Sequence, residues 1–178
     1  MNVSFQNLAL RHLNAEDGRE LYRLVDRNRY RLQNYFPVTV NTLASLSGAF
    51  KYVDDKLKEE AEKMHYTFVL EAADHTLQGA IFIKNIDWRV PKAELAYFID
   101  ESLEGRGIMT RAISEVVQFG FGDLDMNKMY IITSVDNTAS RKMAEKNGFE
   151  TEGILRSNFR IATGELIDMV YYGILRKT

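Results

Sequence analysis

The sequence predicts a mixed α+β fold, in which a mostly antiparallel central sheet of about seven strands is flanked by about four helices. Two observations predict it. Short segments rich in aromatic and β-branched residues are bounded by turn residues, and they are interspersed with segments whose apolar residues recur every three or four positions. The chain has 178 residues and neither a linker nor an internal repeat, so we expect residues 1–178 to form a single domain.

The N-terminal half is expected to contain a strand, two helices and three further strands. Residues 5–13 form the first strand, and Asn14 is a favourable N-cap for the helix that follows. The chain is expected to turn at Pro37, because proline disfavours the helical conformation in the residue before it. Residues 43–61 carry an apolar stripe typical of a surface helix. The three antiparallel strands are expected at residues 66–72, 80–87 and 93–100.

The C-terminal half is expected to contain a helix, a strand, a second helix and a final pair of strands. Apolar residues recur at helical spacing over residues 108–120, and residues 129–135 form an apolar run suited to a buried strand. A strand, a helix and a strand in this order imply that the two strands are parallel. The short helix begins at Asn137 and ends at Asn147-Gly148, and the last two strands span residues 149–160 and 165–175.

Composition excludes several functional classes. A formal net charge of -2 gives no basic field, so we expect no nucleic acid partner. The absence of cysteine removes disulfides, thiolate metal sites and a cysteine nucleophile, and it fits a reducing compartment. The three histidines lie far apart, so no metal is expected. The chain has no signal-peptide pattern and no apolar run near the roughly 18 residues of a membrane span, so we expect a cytoplasmic protein with no membrane partner.

The segment Glu-Gly-Arg-Gly-Ile-Met-Thr at residues 104–110 follows a predicted strand and opens a helix. Glycines let the backbone approach a phosphate, and the unpaired amides and dipole of the first helical turn attract it. Two other interpretations are an ordinary tight turn and a truncated dinucleotide fingerprint with Thr110 in place of the third glycine. The fingerprint fits poorly, because the segment follows the fourth predicted strand and no acidic strand-end residue comes about 20 positions later.

Further motifs give the chain a family resemblance. Residues 135–140 read Val-Asp-Asn-Thr-Ala-Ser and residues 145–153 read Glu-Lys-Asn-Gly-Phe-Glu-Thr-Glu-Gly. Together with residues 104–110 and the ending around residues 168–172, they resemble the GNAT superfamily of acetyltransferases, and within it the ribosomal-protein N-terminal acetyltransferase (Rim-type) branch. The resemblance covers nearly the whole chain. It implies a GNAT-like fold, acetyl-CoA as cosubstrate, an amine acceptor and a possible homodimer.

The resemblance also implies binding residues. Those expected to bind the cofactor are Arg106, Gly107, Ile108, Met109 and Thr110 at the pyrophosphate, with Asn137 and Ser140 along the pantetheine arm near the thiol. The loop that contains Tyr35 and Phe36 is expected to cover the acceptor cleft, although both aromatic residues could equally belong to the core.

Two positions depart from the superfamily pattern. Glu104 stands where glutamine or arginine is usual, and Met109 where a small residue is usual. A carboxylate beside a diphosphate is electrostatically unfavourable. Glu104 is therefore expected to point outwards or to pair with Arg106 or Arg111.

Candidate catalytic residues are Glu94 and Ser140. Glu94 interrupts an apolar strand and is a candidate base, the alternative being a glutamate that faces solvent or a lysine. Ser140 could protonate the departing thiolate, or it could simply bond to backbone in the first turn of a helix. Tyr97 is a candidate substrate contact, although tyrosines on such strands are more often core residues. Relatives of this branch often have a carboxylate where this chain has Asn158-Phe159.

The predicted reaction is direct attack of a primary amine on the thioester, with no covalent enzyme intermediate. A protein α-amine titrates near 8 and lysine near 10.4, so an α-amine needs less help from a base. The first hypothesis, which rests mainly on the Rim-type resemblance and is slightly favoured by this difference in pKa, is acetylation of a protein N-terminus, as in ribosomal proteins. The alternatives are a small amine acceptor (a polyamine, an amino acid or an antibiotic) and a non-enzymatic module that binds CoA.

Overall fold

Eight strands form one mixed sheet in the computed structural model, which describes residues 1–177. The strands are β1 (Asn2–Phe5), β2 (Leu8–His12), β3 (Tyr66–Ala72), β4 (Leu77–Asp87), β5 (Lys92–Ile99), β6 (Lys128–Ser134), β7 (Glu150–Arg160) and β8 (Leu166–Leu175). Their spatial order is β1-β2-β3-β4-β5-β6-β8-β7. β5 and β6 pair in parallel and the other neighbouring strands are antiparallel, as the predicted crossover requires.

In the described part of the chain, six α-helices connect the strands. They are α1 (Gly18–Arg27), α2 (Arg29–Leu32), α3 (Pro37–Thr42), α4 (Leu46–Ala61), α5 (Ile108–Gly122) and α6 (Thr138–Lys146), with two 3₁₀ turns at Ala15–Asp17 and Glu101–Leu103. None of the helices within residues 1–177 is long and apolar enough to cross a membrane.

The central strands of the sheet are buried on both faces, and the alternation of side chains along them divides the core in two. On β4, Ile81 and Ile83 pack into a cluster with residues of α5 and α6, whereas Ala80 and Phe82 pack into a second cluster with residues of α1 and α4. Strands covered on both faces read as continuous apolar runs. This explains why the centre of β4 reads Ala-Ile-Phe-Ile without polar alternation.

The N-terminal strand prediction was wrong in one respect. Residues 5–13 were expected to form one strand, but the chain forms a hairpin whose two turn residues, Gln6 and Asn7, have φ of 49° and 64°. Two consecutive left-handed residues make the tight turn whose twist suits a hairpin. Gln-Asn is an uncommon pair for this turn, and the hairpin raises the strand count from about seven to eight.

The predicted first helix is interrupted. α1 ends at Arg27, because the side chain of Asn28 bonds back to the carbonyl of Leu24 and across to Asp100 instead of continuing a regular helix. Phe36 is non-helical (φ -128°, ψ 49°), as expected before proline, and Pro37 then begins α3. These breaks raise the helix count from about four to six.

A buried histidine gives the stability of the fold a predictable pH dependence. His65 is 8% exposed and its Nε2 lies 3.1 Å from Thr67 Oγ1. Burial, with the charges of Lys56 and Lys84, lowers its pKa to about 3. The His65 imidazole therefore takes up a proton near pH 6.5 in the unfolded chain but only near pH 3 in the folded chain. This difference destabilises the fold as the pH falls through that window.

We expect the unfolding free energy of the protein to lose about 2 kcal/mol between pH 7 and pH 5 from this group alone. A His65→Gln variant should lack this part of the slope in urea titrations at the two pH values. Parallel pH profiles for the variant and the wild type would contradict the assignment.

Candidate active site

A fork in the sheet creates the candidate site. β5 and β6 are paired from Lys92↔Lys128 to Glu94↔Tyr130, and there the pairing stops, although β5 continues to Ile99 and β6 to Ser134. Two strands that separate in this way leave an opening within the sheet. The opening is part of a cavity of about 260 Å³ whose walls include Leu95 to Tyr97 on one strand and Ile131 to Ser134 on the other.

Six of the residues predicted from the sequence come together in this cavity. They are Tyr35, Phe36, Glu94, Tyr97, Asn137 and Ser140. They come from four separate parts of the chain: the segment between α2 and α3, strand β5, the residue before α6, and α6 itself. The predicted cofactor loop, residues 106–110, does not line the cavity and lies instead at the start of α5, just beyond the end of β5.

Glu94 lies at the apex of the fork and is buried. Its carboxylate accepts a hydrogen bond from Asn85 Nδ2 at 2.7 Å and lies 3.1 Å from Lys84 Nζ. The carboxylate thus faces a lysine, as one of the two interpretations of the sequence expected, but inside the cavity and not at an outer edge of the sheet. Burial and, to a lesser extent, the charge of Glu94 raise the pKa of the neighbouring Tyr130 to about 12.

Tyr97 and Ser140 form a hydroxyl pair across the cavity, with 2.5 Å between their oxygen atoms. The Ser140 side chain therefore bonds to a tyrosine and not to backbone, which was the alternative expectation. Burial raises the pKa of the Tyr97 phenol well above its ordinary value, although the bond to Ser140 opposes the shift. A phenol that keeps its proton can donate to Ser140, which leaves the serine hydrogen free to point into the cavity.

Asn137 caps α6. Its Oδ1 accepts from the backbone NH of Ser140 at 3.0 Å, which satisfies one unpaired amide of the first turn. Asn137 is thus the N-cap of the helix that was predicted to begin at this residue. Within residues 1–177 its Nδ2 has no hydrogen-bond partner and is available to a ligand.

Tyr35 and Phe36 form the wall of the cavity next to α3. Tyr35 is 41% exposed. The Phe36 ring packs against Phe98 at 5.4 Å between centroids and against Phe82 at 6.4 Å, so it belongs partly to the core and partly to the cavity.

The glycine loop has the geometry of an anion cradle. Gly105 and Gly107 have φ of 72° and 75°, in the left-handed region that favours glycine. The first intrahelical bond of α5 runs from Arg111 NH to Gly107 O. No acceptor among residues 1–177 pairs with the amides from Arg106 to Thr110, and a Cβ added at either glycine would meet open space. The loop therefore fits a diphosphate.

The expectation for Glu104 was wrong in detail. Its carboxylate pairs with Arg31 of α2 and not with Arg106 or Arg111. Arg111 instead pairs with Glu115 at 2.5 Å, one turn further along α5. The partner comes from a segment 73 residues away in sequence, so local charge spacing could not have identified it.

Several cavity residues were not among the site residues predicted from the sequence. They are Lys84, Ser134, Asn158, Phe159 and Met169. A signal existed for Lys84, which directly follows the apolar run of β4 and stands opposite Glu94 once the β4–β5 hairpin register is known. The remaining four depend on the fork and on how β7 and β8 pack beside it. The residues that the structure describes contain no group of three or more histidine, aspartate or glutamate side chains suited to a metal ion.

The hydroxyl pair can be tested directly. For the acetyl transfer that the family resemblance implies, we expect Tyr97→Phe to lower kcat about fivefold and Ser140→Ala about 30-fold, with a smaller effect on the Kd for acetyl-CoA. Thr138→Ala, also in the first turn of α6, is the control and should match the wild type. Equal rates for Ser140→Ala and wild type would remove the serine from the reaction.

A sequence model of the acetyltransferase (GNAT) domain matches residues 7–150 of the chain. The chain belongs to the GNAT acetyltransferase family. GNAT acetyltransferases use acetyl-CoA, so the chain is an acyltransferase that takes this cosubstrate.

The proteins similar to this chain include acetyltransferases named for different acceptor substrates. The chain is 29% identical over 175 residues to "Putative ribosomal N-acetyltransferase YdaF" of Bacillus subtilis (strain 168), covering 97% of this chain and 93% of that protein. It is 28% identical over 158 residues to spermidine N(1)-acetyltransferase of Escherichia coli (strain K12), covering 89% and 81%. These relatives support N-acetyltransferase activity and leave the acceptor open.

The fold of this GNAT acetyltransferase agrees with solved structures. The structure of ribosomal-protein-S5-alanine acetyltransferase from Vibrio fischeri superposes with a TM-score of 0.92 at 19% identity, covering 98% of this chain and 96% of that one. The predicted mixed, mostly antiparallel α+β fold is thereby confirmed, with the strand and helix counts corrected as described above.

Proposed function

We propose that this GNAT acetyltransferase transfers the acetyl group of acetyl-CoA to the α-amine of a protein N-terminus, such as that of a ribosomal protein. The observation that carries the proposal is the fork between β5 and β6. It brings the Glu94 carboxylate and the Tyr97–Ser140 hydroxyl pair into one cavity. The β5 strand that carries Glu94 leads at its other end towards the amides of the α5 cradle.

The cradle would hold the cosubstrate by its diphosphate. The amides of Arg106, Gly107, Ile108, Met109 and Thr110 are the proposed donors, and the positive end of the α5 dipole adds to the attraction. Asn137 Nδ2 and the Ser140 hydroxyl are proposed to face the pantetheine arm and the sulfur. When bound, acetyl-CoA supplies an activated acetyl carbonyl and a thiol leaving group.

Two side chains are proposed to move protons. Glu94 accepts a proton from the acceptor ammonium, directly or through water, while Lys84 and Asn85 fix its carboxylate. Ser140 Oγ donates its proton towards the sulfur, and Tyr97 donates to Ser140 and holds it in place. The remaining contribution is orientation of the two substrates, which needs no covalent bond to the chain.

The charges of the cavity favour an acceptor with one amine over a polyamine. Glu94 is the only carboxylate that lines the cavity within residues 1–177, and Lys84 already neutralises it. A polyamine carries several ammonium groups and would need unpaired carboxylates to recognise them. Tyr35 and Phe36 offer aromatic surface to the side chains of an extended peptide.

An amine panel tests the acceptor. Thiol release from acetyl-CoA would be followed with short peptides bearing a free α-amine, the same peptides with a blocked N-terminus and an internal lysine, and spermidine. We expect the free α-amine peptides to react at least about tenfold faster in kcat/KM than the others, because their amine is neutral in a larger fraction at pH 7. Faster acetylation of spermidine than of every peptide would overturn the proposed acceptor.

Three expectations from the sequence remain proposals of the same kind. We propose that residues 1–178 act as a single acetyltransferase domain, that the protein is cytoplasmic, and that a homodimer is possible. Size-exclusion chromatography with light scattering would test the last of these.

A further inference from the structure

Residues at the end of α1 and in α2 hold the loop between β5 and α5 in place by hydrogen bonds. Asp100, directly after β5, is buried. Its carboxylate accepts hydrogen bonds from Ser102 Oγ at 2.6 Å, from Asn28 Nδ2 at 3.0 Å and from Arg27 Nε. Burial alone would raise the pKa of this carboxyl, but the hydrogen bonds outweigh burial and hold the pKa well below its ordinary value. The start of the loop is thus fixed to α1.

Arg31 of α2 fixes the other end of the same loop. Its guanidinium donates to the carbonyl of Ile99, the last residue of β5, and to Asn28 Oδ1 at 3.1 Å. It also pairs with the carboxylate of Glu104, which opens the glycine loop. The Arg31 side chain therefore contacts both Ile99, just before the loop, and Glu104, where the glycine segment begins.

The ion pair between Arg31 and Glu104 neutralises a negative charge beside the proposed diphosphate site. Glu104 is adjacent in sequence to the amides that are proposed to hold a diphosphate, and an unpaired carboxylate there would repel that ligand. Of the two arginines nearby in sequence, Arg111 pairs with Glu115, and Arg106 forms no ion pair or hydrogen bond with Glu104 among residues 1–177. The side-chain exposures of Arg31 and Glu104 are 32% and 50%, so solvent screens their charges only in part.

We propose that Arg31 is a positioning residue for the CoA site: it neutralises Glu104 and so allows an acidic residue to stand at the mouth of a diphosphate cradle. The inference rests on the proposed binding of CoA by residues 106–110. It assigns a role in cofactor binding to α2, a helix that was not predicted from the sequence.

The test is a charge-rescue cycle measured by calorimetry with CoA, which requires no acceptor and no turnover. We expect Arg31→Gln to raise the Kd for CoA about tenfold, because it leaves Glu104 unpaired beside the diphosphate. Glu104→Gln alone should bind CoA as tightly as the wild type or more tightly. The double variant should return to within about threefold of the wild type, because no unpaired charge remains.

The salt dependence of CoA binding distinguishes an electrostatic effect of Arg31 from a structural role in supporting the loop. The deficit of Arg31→Gln relative to the wild type should shrink between 50 mM and 500 mM NaCl, because added salt screens the repulsion. A purely structural loss would persist at both concentrations. Arg23→Gln is the control, since Arg23 forms an ion pair with Glu20 within α1 and, among residues 1–177, no ion pair or hydrogen bond with the loop, and it should leave CoA binding unchanged.

The outcomes separate the two proposals. If the wild type itself fails to bind CoA, the proposed function fails. If the wild type binds CoA but Arg31→Gln binds equally well, or if the double variant is as weak as Arg31→Gln, the role of Arg31 is wrong. If Arg31→Gln does not fold, Glu104→Gln decides alone, and weaker binding of CoA by that variant would overturn the proposal.

Discussion

Replacing Glu94 by glutamine is expected to lower kcat at pH 7 by about 100-fold, within the range typical for loss of a general base. The amide keeps the shape of the side chain but cannot accept the proton of the acceptor. Activity should then depend on the fraction of acceptor that is already neutral. The residual rate should rise about tenfold per pH unit until the pH reaches the amine pKa near 8. Initial rates from pH 6 to pH 9 with a peptide acceptor measure both effects.

The matched control for this prediction is Glu152→Gln. Glu152 also forms an ion pair with a lysine, Lys128, but on the exposed strand β7 outside the cavity. It should leave the rate and the pH profile unchanged. Folding is not expected to fail in Glu94→Gln, because the Lys84 side chain is 38% exposed and its charge can be solvated. A variant with the wild-type rate and pH profile would clear Glu94 of the role of base.

Replacing Gly107 by valine is expected to raise the Kd for acetyl-CoA at least about tenfold. Gly107 precedes α5 with φ of 75°, and this conformation costs an ordinary residue roughly 1–2 kcal/mol and a β-branched residue more. The backbone is expected to relax towards negative φ. This change would reorient the amides of residues 106–110, so that they no longer all point towards the proposed diphosphate. Calorimetry with CoA measures the loss without requiring an acceptor.

Gly164 supplies the control for strain itself. It lies in the turn between β7 and β8 with φ of 90°, and, as at Gly107, an added Cβ would meet nothing within 4 Å. Gly164→Val should therefore destabilise the fold by a similar amount while it leaves the Kd for CoA unchanged. If both variants, or neither, weakened CoA binding, the loop at Gly107 would have no special role in the site.

Much of the fold could be predicted from the sequence, because periodicity reports burial. Strand β3 was predicted with its observed bounds, and β5 was displaced by one residue. The errors arose where the conformation departs from the local preferences of the sequence. The turn at Gln6 and Asn7 lacks glycine, and Asn28 ends α1 through a bond to Asp100, a residue 72 positions away that no local pattern reveals.

The candidate site was predictable to a similar degree and for a related reason. Residues on β5 and at the start of α6 could be selected because each stands out in its own segment, as Glu94 does in an apolar strand. Their meeting in one cavity depends on the fork between β5 and β6, which is a tertiary property. The pairing of Glu104 with Arg31 is likewise tertiary, so sequence reasoning recognised the unfavourable charge but chose the wrong partner.

The central claim is that main-chain amides at the start of α5 hold the diphosphate of CoA. It is tested most directly by recording amide resonances of ¹⁵N-labelled protein during titration with CoA. The account predicts that the largest shifts fall on Arg106 to Thr110, while Gly164 does not move. Saturable binding of CoA with no change at residues 106–110 would contradict it.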